Sequence, residues 1–156
     1  MSKTLVIVES PAKCKKIESY LGSGYKCIAS FGHIRNLNSL DQINIATNYK
    51  VKFINDKNKS KQIKLIKDEY EKCKKVIIAT DDDREGEAIG WHICEILKIN
   101  PTTTPRIIFH EITRPALTHA VNNPTTLNMN IINAQLTRQI LDLFVGYNFW
   151  MFLKRK

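Results

Sequence analysis

The run Asp81-Asp82-Asp83-Arg84-Glu85-Gly86-Glu87 sets five carboxylates in seven residues, directly after the apolar stretch Val76 to Ala79. One aspartate is enough to cap a helix, and acids in a first turn suit the helix dipole. Five such groups repel one another unless a cation is supplied. Alternation at Asp81, Asp83 and Glu85 lets three carboxylates face one point while Asp82 turns away. Glu9 ends a second apolar stretch, Leu5 to Val8. The carboxyl ends of parallel strands share one edge, where ligands bind, so Glu9 can join the others there. Oxygen ligands without His or Cys describe a hard cation, and the expected metal set is Glu9, Asp81, Asp83 and Glu85 around Mg2+. Such an ion beside a phosphodiester positions it and offsets its charge.

Basic residues gather at the same edge. Lys13 lies one turn after Glu9, near a helix N-terminus that itself attracts phosphate. Arg84 is interleaved with the acids, where it can pair with them or reach a phosphate oxygen. Phe31-Gly32-His33-Ile34-Arg35 follows a weaker strand, with Gly32 permitting a turn and His33 presented beyond it. His92 and His119 fall on amphipathic helices and read as packed or solvated. Arg138 and Asp142 stand four apart on one helix face, which by itself reads as a surface pair worth about 0.3–0.5 kcal/mol.

Lys and Arg total 24 against 15 for Asp and Glu in a chain of 156 residues, a net charge of +9. That field favours nucleic acid or another polyanion. The 43% apolar and 25% charged residues exclude collagen, coiled-coil and disordered classes. No apolar run approaches the ~20 residues of a membrane span, and the start at Thr4-Leu5-Val6-Ile7-Val8 is wrongly flanked for a secretory signal. Cys14, Cys27, Cys73 and Cys94 form no C-x-x-C pair and read as reduced structural thiols. The expectation is an intracellular protein in a reducing compartment, without a membrane partner.

The elements that must position these groups alternate. Leu5 to Val8, Tyr25 to Ser30, Val76 to Ala79 and Ile107 to Phe109 read as strands buried on both faces. Ser10 caps and Pro11 opens a helix reaching Leu21. Ile63, Ile66 and Tyr70 mark a second helix, and Ile89, Ile93, Ile96 and Leu97 a third. Thr113-Arg114-Pro115 opens a fourth that Asn123-Pro124 stops, and Asn130 to Tyr147 forms the last. Residues 32–58 are Asn-rich and without periodicity, a long connection. Such alternation predicts an α/β domain with a mostly parallel sheet of about four strands flanked by helices. The end at Lys154-Arg155-Lys156, with no closing element, is expected of an excised piece.

Taken together, Glu9-Ser10-Pro11-Ala12-Lys13, Gly32-His33-Ile34-Arg35, Thr80-Asp81-x-Asp83-Arg84-Glu85-Gly86-Glu87-Ala88-Ile89, Glu111-Ile112-Thr113 and Asn133-Ala134-Gln135 resemble the ordered blocks of type IA DNA topoisomerases, the topoisomerase I branch above all. The third block is similar to the signature of their Rossmann-like TOPRIM domain. The resemblance runs from Leu5 to Tyr147. It implies a TOPRIM domain over residues 1–124 and, over 125–156, the start of a helical domain that grips single-stranded DNA.

The activity it implies is Mg2+-dependent, ATP-independent breakage of one DNA strand, strand passage and religation through a 5′-phosphotyrosine. By position, Glu9 would serve the acid/base step at the leaving 3′-oxygen. Lys13 would stabilise charge at the scissile phosphate, and Arg84 and His33 would contact DNA beside it. Asp81 and Asp83, supported by Glu85, would hold Mg2+. Arg138, Gln139, Asp142 and Tyr147 would line the strand, with a base stacked on Tyr147. Gln139 stands where many relatives carry a second arginine, and residues 148–153 depart from the usual Ser-Pro-Leu-Leu-Trp pattern. None of Tyr20, Tyr25, Tyr49, Tyr70 and Tyr147 sits in the family's nucleophile motif, so the expected piece is inactive alone. Its implied partners are single-stranded or underwound DNA and the remaining domains of the same polypeptide, in a monomer. Another TOPRIM protein, a primase or a Mg2+-dependent nuclease, is the alternative. A receiver-like signalling domain would share the fold class but not the basic charge.

Overall fold

The computed structural model describes residues 2–47 and 50–155; Tyr49 and Lys156 lie outside them. Strands β1 (Thr4–Val8), β2 (Tyr25–Ala29) and β7 (Val76–Ile78) form a parallel sheet in the order β2-β1-β7. Val6 pairs with Cys27 on one side and Ile77 on the other. Both faces of β1 are covered. Leu5 and Ile7 pack with Ile63, Ile66, Ile93 and Ile132, whereas Val6 and Val8 pack with Ile17, Ile107 and Leu117. The first layer draws on helices α2 (Ser60–Cys73), α3 (Arg84–Leu97) and α5 (Met129–Lys154), and the second on α1 (Cys14–Leu21) and α4 (Arg114–Asn122). Continuous apolar strands are what a sheet sandwiched between helices requires.

Two details of the sheet and its first helix differ from the sequence expectation. The fourth strand is reduced to a bridge at Arg106, parallel to Ile78 and antiparallel to Thr125. Ile78 N–H donates to Pro105 O and Ile107 N–H to Ile78 O, both at 2.9 Å. Residues 108–109 pair with no strand among the described residues, because β7 ends at Ile78 and the chain turns into the acidic segment. The helix from Pro11 starts as a 3-10 turn, Pro11–Lys13, with Ser10 Oγ accepting from Ala12 N–H, before α1 proper.

The Asn-rich stretch is ordered by two small antiparallel pairs, β3 (Arg35–Asn36) with β6 (Ile54–Asn55) and β4 (Ile43–Asn44) with β5 (Lys50–Val51). Buried Gln42 ties them, donating to Asn36 O and Lys52 O and accepting from Asn38 and Ser39 N–H. No hydrophobic period announces this excursion, because the Gln42 amide and single buried residues such as Ile34 and Ile43, rather than a repeating apolar face, hold it. Arg35 docks it on α3, its guanidinium over the rings of Phe53 (5.0 Å) and Trp91 (5.2 Å) and its Nε donating to His92 Nδ1 at 3.0 Å.

The last helix runs beyond Tyr147 to Lys154, and past Ile140 much of its apolar surface faces outward, as at Leu141, Val145, Phe149 and Phe152. The four cysteines are free, and burial pushes the Cys94 thiol up to about 11. No helix among the described residues is long and apolar enough to cross a membrane.

Candidate metal and DNA site

The parallel sheet brings the ends of β1 and β7 side by side, and with them Glu9 and Asp81. Glu9 Oε1 accepts from Asp81 N–H at 2.8 Å. Half-burial pushes the Glu9 carboxyl above its usual range, and the charges of Asp81 and Asp83 add to this, whereas the Asp81 hydrogen bond and Lys13 oppose it. Lys13 Nζ donates to Asp81 Oδ1 at 3.1 Å, so the first turn after β1 does reach the acidic segment.

Asp83 caps α3, its Oδ1 accepting from Gly86 N–H at 2.6 Å. The turn is tight. A Cβ on Gly86 would lie 1.8 Å from Asp81 O, so only glycine lets the helix start this close to the strand end. Glu85 leans the other way, to His33 Nε2 at 2.5 Å, and Asp82 faces His110 at 3.6 Å. The four expected carboxylates thus share one edge, but each is engaged separately. Among the described residues no three His, Cys, Asp or Glu side chains close on one point. The donor chemistry still suits Mg2+, which takes one or two carboxylates and fills its octahedron with water and phosphate oxygens.

A cleft of about 470 Å³ opens from this turn. Asp83, Arg84 and Glu85 line one wall and Gln135, Arg138, Gln139 and Asp142 of α5 the other. Arg138 and Asp142 do not pair with each other, contrary to the surface-pair reading of their spacing; both face the cleft. Among the described residues Arg84 and Arg138 make no side-chain hydrogen bond or ion pair, and Gln139 Oε1 is buried without a partner. Asp142 also borders a second cleft, of about 440 Å³, with Ser39, Asp41 and the half-exposed Tyr147. The two clefts make one track along α5. Tyr20, Tyr25 and Tyr70 line neither of them.

Sequence reasoning missed the group that ties these walls together. Arg106 is fully buried and lies 3.2 Å from Glu87 Oε1. It donates to Thr80 Oγ1 at 2.7 Å and to Asp81 O at 3.0 Å. Glu87 Oε2 accepts from Asn128 N–H, at the cap of α5, at 2.9 Å. One ion pair therefore links the acidic turn to the entry of α5. Glu87 stood in the quoted signature, but nothing in the spacing connects it with Arg106, nineteen positions on.

The Toprim domain family matches residues 4–112. The chain belongs to that family. Toprim domains generally bind Mg2+. Among solved structures, full-length topoisomerase I of Thermotoga maritima superposes with a TM-score of 0.81 at 42% identity. The match covers 92% of this chain and 24% of that one, so the chain spans about a quarter of the relative's length. The likeness to type IA topoisomerases carried by the sequence blocks is borne out by these matches, as is the Rossmann-like α/β class.

Proposed function

We propose that the chain is the metal-binding N-terminal part of a type IA DNA topoisomerase, acting on single-stranded or underwound DNA together with further domains of its own polypeptide. The supporting observation is the cleft that sets Asp83, Arg84 and Glu85 opposite Arg138, Gln139 and Asp142, with two arginines free to take phosphate. On this reading residues 1–124 hold the metal, and 125–156 begin the part that grips the strand. The protein works as an intracellular monomer.

Asp81 and Asp83, with Glu85 in support, would hold Mg2+, which when bound supplies charge compensation at the phosphate. Glu9 would serve the acid/base step at the 3′-oxygen, giving a proton as that oxygen departs and taking it back on religation; burial pushes its carboxyl above the usual range, the direction that suits this role. Lys13, freed from Asp81, neutralises the scissile phosphate. Arg84 and His33 orient the strand beside it, Arg138 and Gln139 fix it upstream, and Tyr147 stacks a base. The tyrosine that takes the 5′-phosphate is not one of those present, so these residues alone are expected to hold half an active site.

The test is an NMR titration of the labelled chain with Mn2+, then Mg2+ in competition, with and without a short single-stranded oligonucleotide. Broadening at Glu9, Asp81 and Asp83 that DNA tightens and Mg2+ reverses is the expected result. Acids unaffected even with DNA present would remove the metal role. Relaxation of supercoiled plasmid by the chain alone would contradict the missing nucleophile, and metal-dependent hydrolysis of single strands would favour the nuclease reading.

A further inference from the structure

Phe31 stands out at the carboxyl edge of the sheet. Its φ is +59°, and the following Gly32 has φ +87°. A bulky residue in the left-handed region is a true outlier, of the kind that persists only where the surroundings enforce it. Here they do: Phe31 N–H donates to Glu9 O at 3.0 Å, and Lys59 Nζ donates to Phe31 O at 2.5 Å. The strained residue is not part of either hydrophobic core. The ring is 49% exposed, directly beside the residue read as the acid/base, with the Lys59 ammonium 5.7 Å from its centre. Lys57 and Lys61 flank Lys59, both exposed and, among the described residues, without an acidic partner.

We propose that Phe31 and Lys59 form a further single-strand subsite, in which a nucleobase stacks on the outer face of the Phe31 ring while Lys59 meets the adjoining phosphate. This rests on the DNA-binding reading above and extends it to the sheet edge beside Glu9, away from the α5 track. An aromatic face takes any base, and the ammonium already poised over the ring needs little reorganisation to reach a backbone oxygen. Charge complementarity selects the ligand: three lysines with no acidic partners next to an exposed ring fit a stacked polyanion better than an apolar peptide.

The test is fluorescence anisotropy of the 156-residue chain with oligothymidylate and, in parallel, with an abasic oligomer of equal length. Far-UV circular dichroism checks each variant for folding. Phe31→Ala should weaken oligothymidylate binding about 5- to 150-fold, the range for one lost stack. It should leave abasic-oligomer binding unchanged, which a loss of fold would not do. Phe31→Trp should restore or exceed parent affinity. Lys59→Gln should weaken both ligands and lower the slope of log affinity against log salt by about 0.7.

Equal oligothymidylate affinity of Phe31→Ala and parent would overturn the subsite while leaving the DNA reading intact. The ring would then serve as a contact for another segment of protein. Equal losses on both oligomers would overturn the stacking role. Failure of the parent to bind either oligomer at low salt would remove the DNA reading and the subsite with it.

Discussion

Glu87→Gln is the sharpest probe of how the site is held. The substitution keeps side-chain size and removes one charge. Both Glu87 oxygens face donors, Arg106 Nη2 at 3.2 Å and Asn128 N–H at 2.9 Å. An amide offers one oxygen and one NH2, so in either orientation a donor meets a donor, and the fully buried guanidinium of Arg106 loses its counter-charge. Breaking a buried pair from one side costs about 3–5 kcal/mol. That is a large share of the ~5–15 kcal/mol that holds a domain folded. At about 2–4 °C per kcal/mol for a chain of this size, Tm should fall by about 6–20 °C in calorimetry. Single-strand affinity should fall as well, because α5 is unhooked at Asn128.

The double variant Arg106→Met/Glu87→Leu discriminates further. Apolar groups replacing a whole buried pair are often neutral. It should therefore recover part of the lost stability, short of parent because Thr80, Asp81 and Asn128 each lose a partner, while single-strand affinity stays low. A Tm drop below about 2 °C for Glu87→Gln, or a loss in the double variant equal to the sum of the Arg106→Met and Glu87→Leu losses, would refute this coupling.

Other outcomes follow from single contacts. Gly86→Ala should unfold the chain or push the acidic turn aside, because the new methyl would sit 1.8 Å from Asp81 O. Gly146→Ala, in open space on exposed helix, should instead raise Tm by a few degrees, from about 1 kcal/mol of helix propensity. Asp83→Asn still caps α3 but removes a charge that raises Glu9, so carboxyl NMR titration should find the Glu9 pKa moved down; an unchanged or higher value would contradict the assigned cause. Burial first, then Arg35 and His33, lower His92 from 6.5 to about 3. A depressed folded-state pKa means the unfolded chain binds the proton more readily. The stability gained from neutral His92 is thus full above about pH 6.5 and declines as pH falls toward 3. Urea midpoints of parent and His92→Gln should accordingly converge between pH 7 and 4.

Much of the fold was legible because it follows from one-dimensional pattern. The apolar runs at Leu5 and Val76 can be satisfied only by helices on both faces, and Ser10-Pro11 and Thr113-Arg114-Pro115 cap helices by chemistry local to the chain. The excursion through residues 32–58 was not legible. It is held by one buried glutamine, an arginine between two rings and isolated buried isoleucines at 34 and 43, contacts that leave no period in the sequence. The end of the sheet at Ile107 was also hidden, since pairing needs a partner, and Thr80 had already turned into the acidic segment.

For the candidate site, the sequence by itself offered the groups: carboxylates after two strands, a lysine one turn on, and, through the family resemblance, a helix carrying Arg138, Gln139 and Asp142. Residue type and strand-end position settle chemistry, because charge and ligand hardness belong to the side chain. Only the tertiary structure decided their use. One oxygen of Asp83 caps α3, Glu85 is turned to His33, and Arg138 faces Arg84 across a cleft instead of pairing with Asp142. The link that sets this geometry, from Asp81 through Arg106 and Glu87 to Asn128, joins four positions spread over 48 residues. A buried charge finds its partner by proximity in the folded core, and sequence separation carries no record of it.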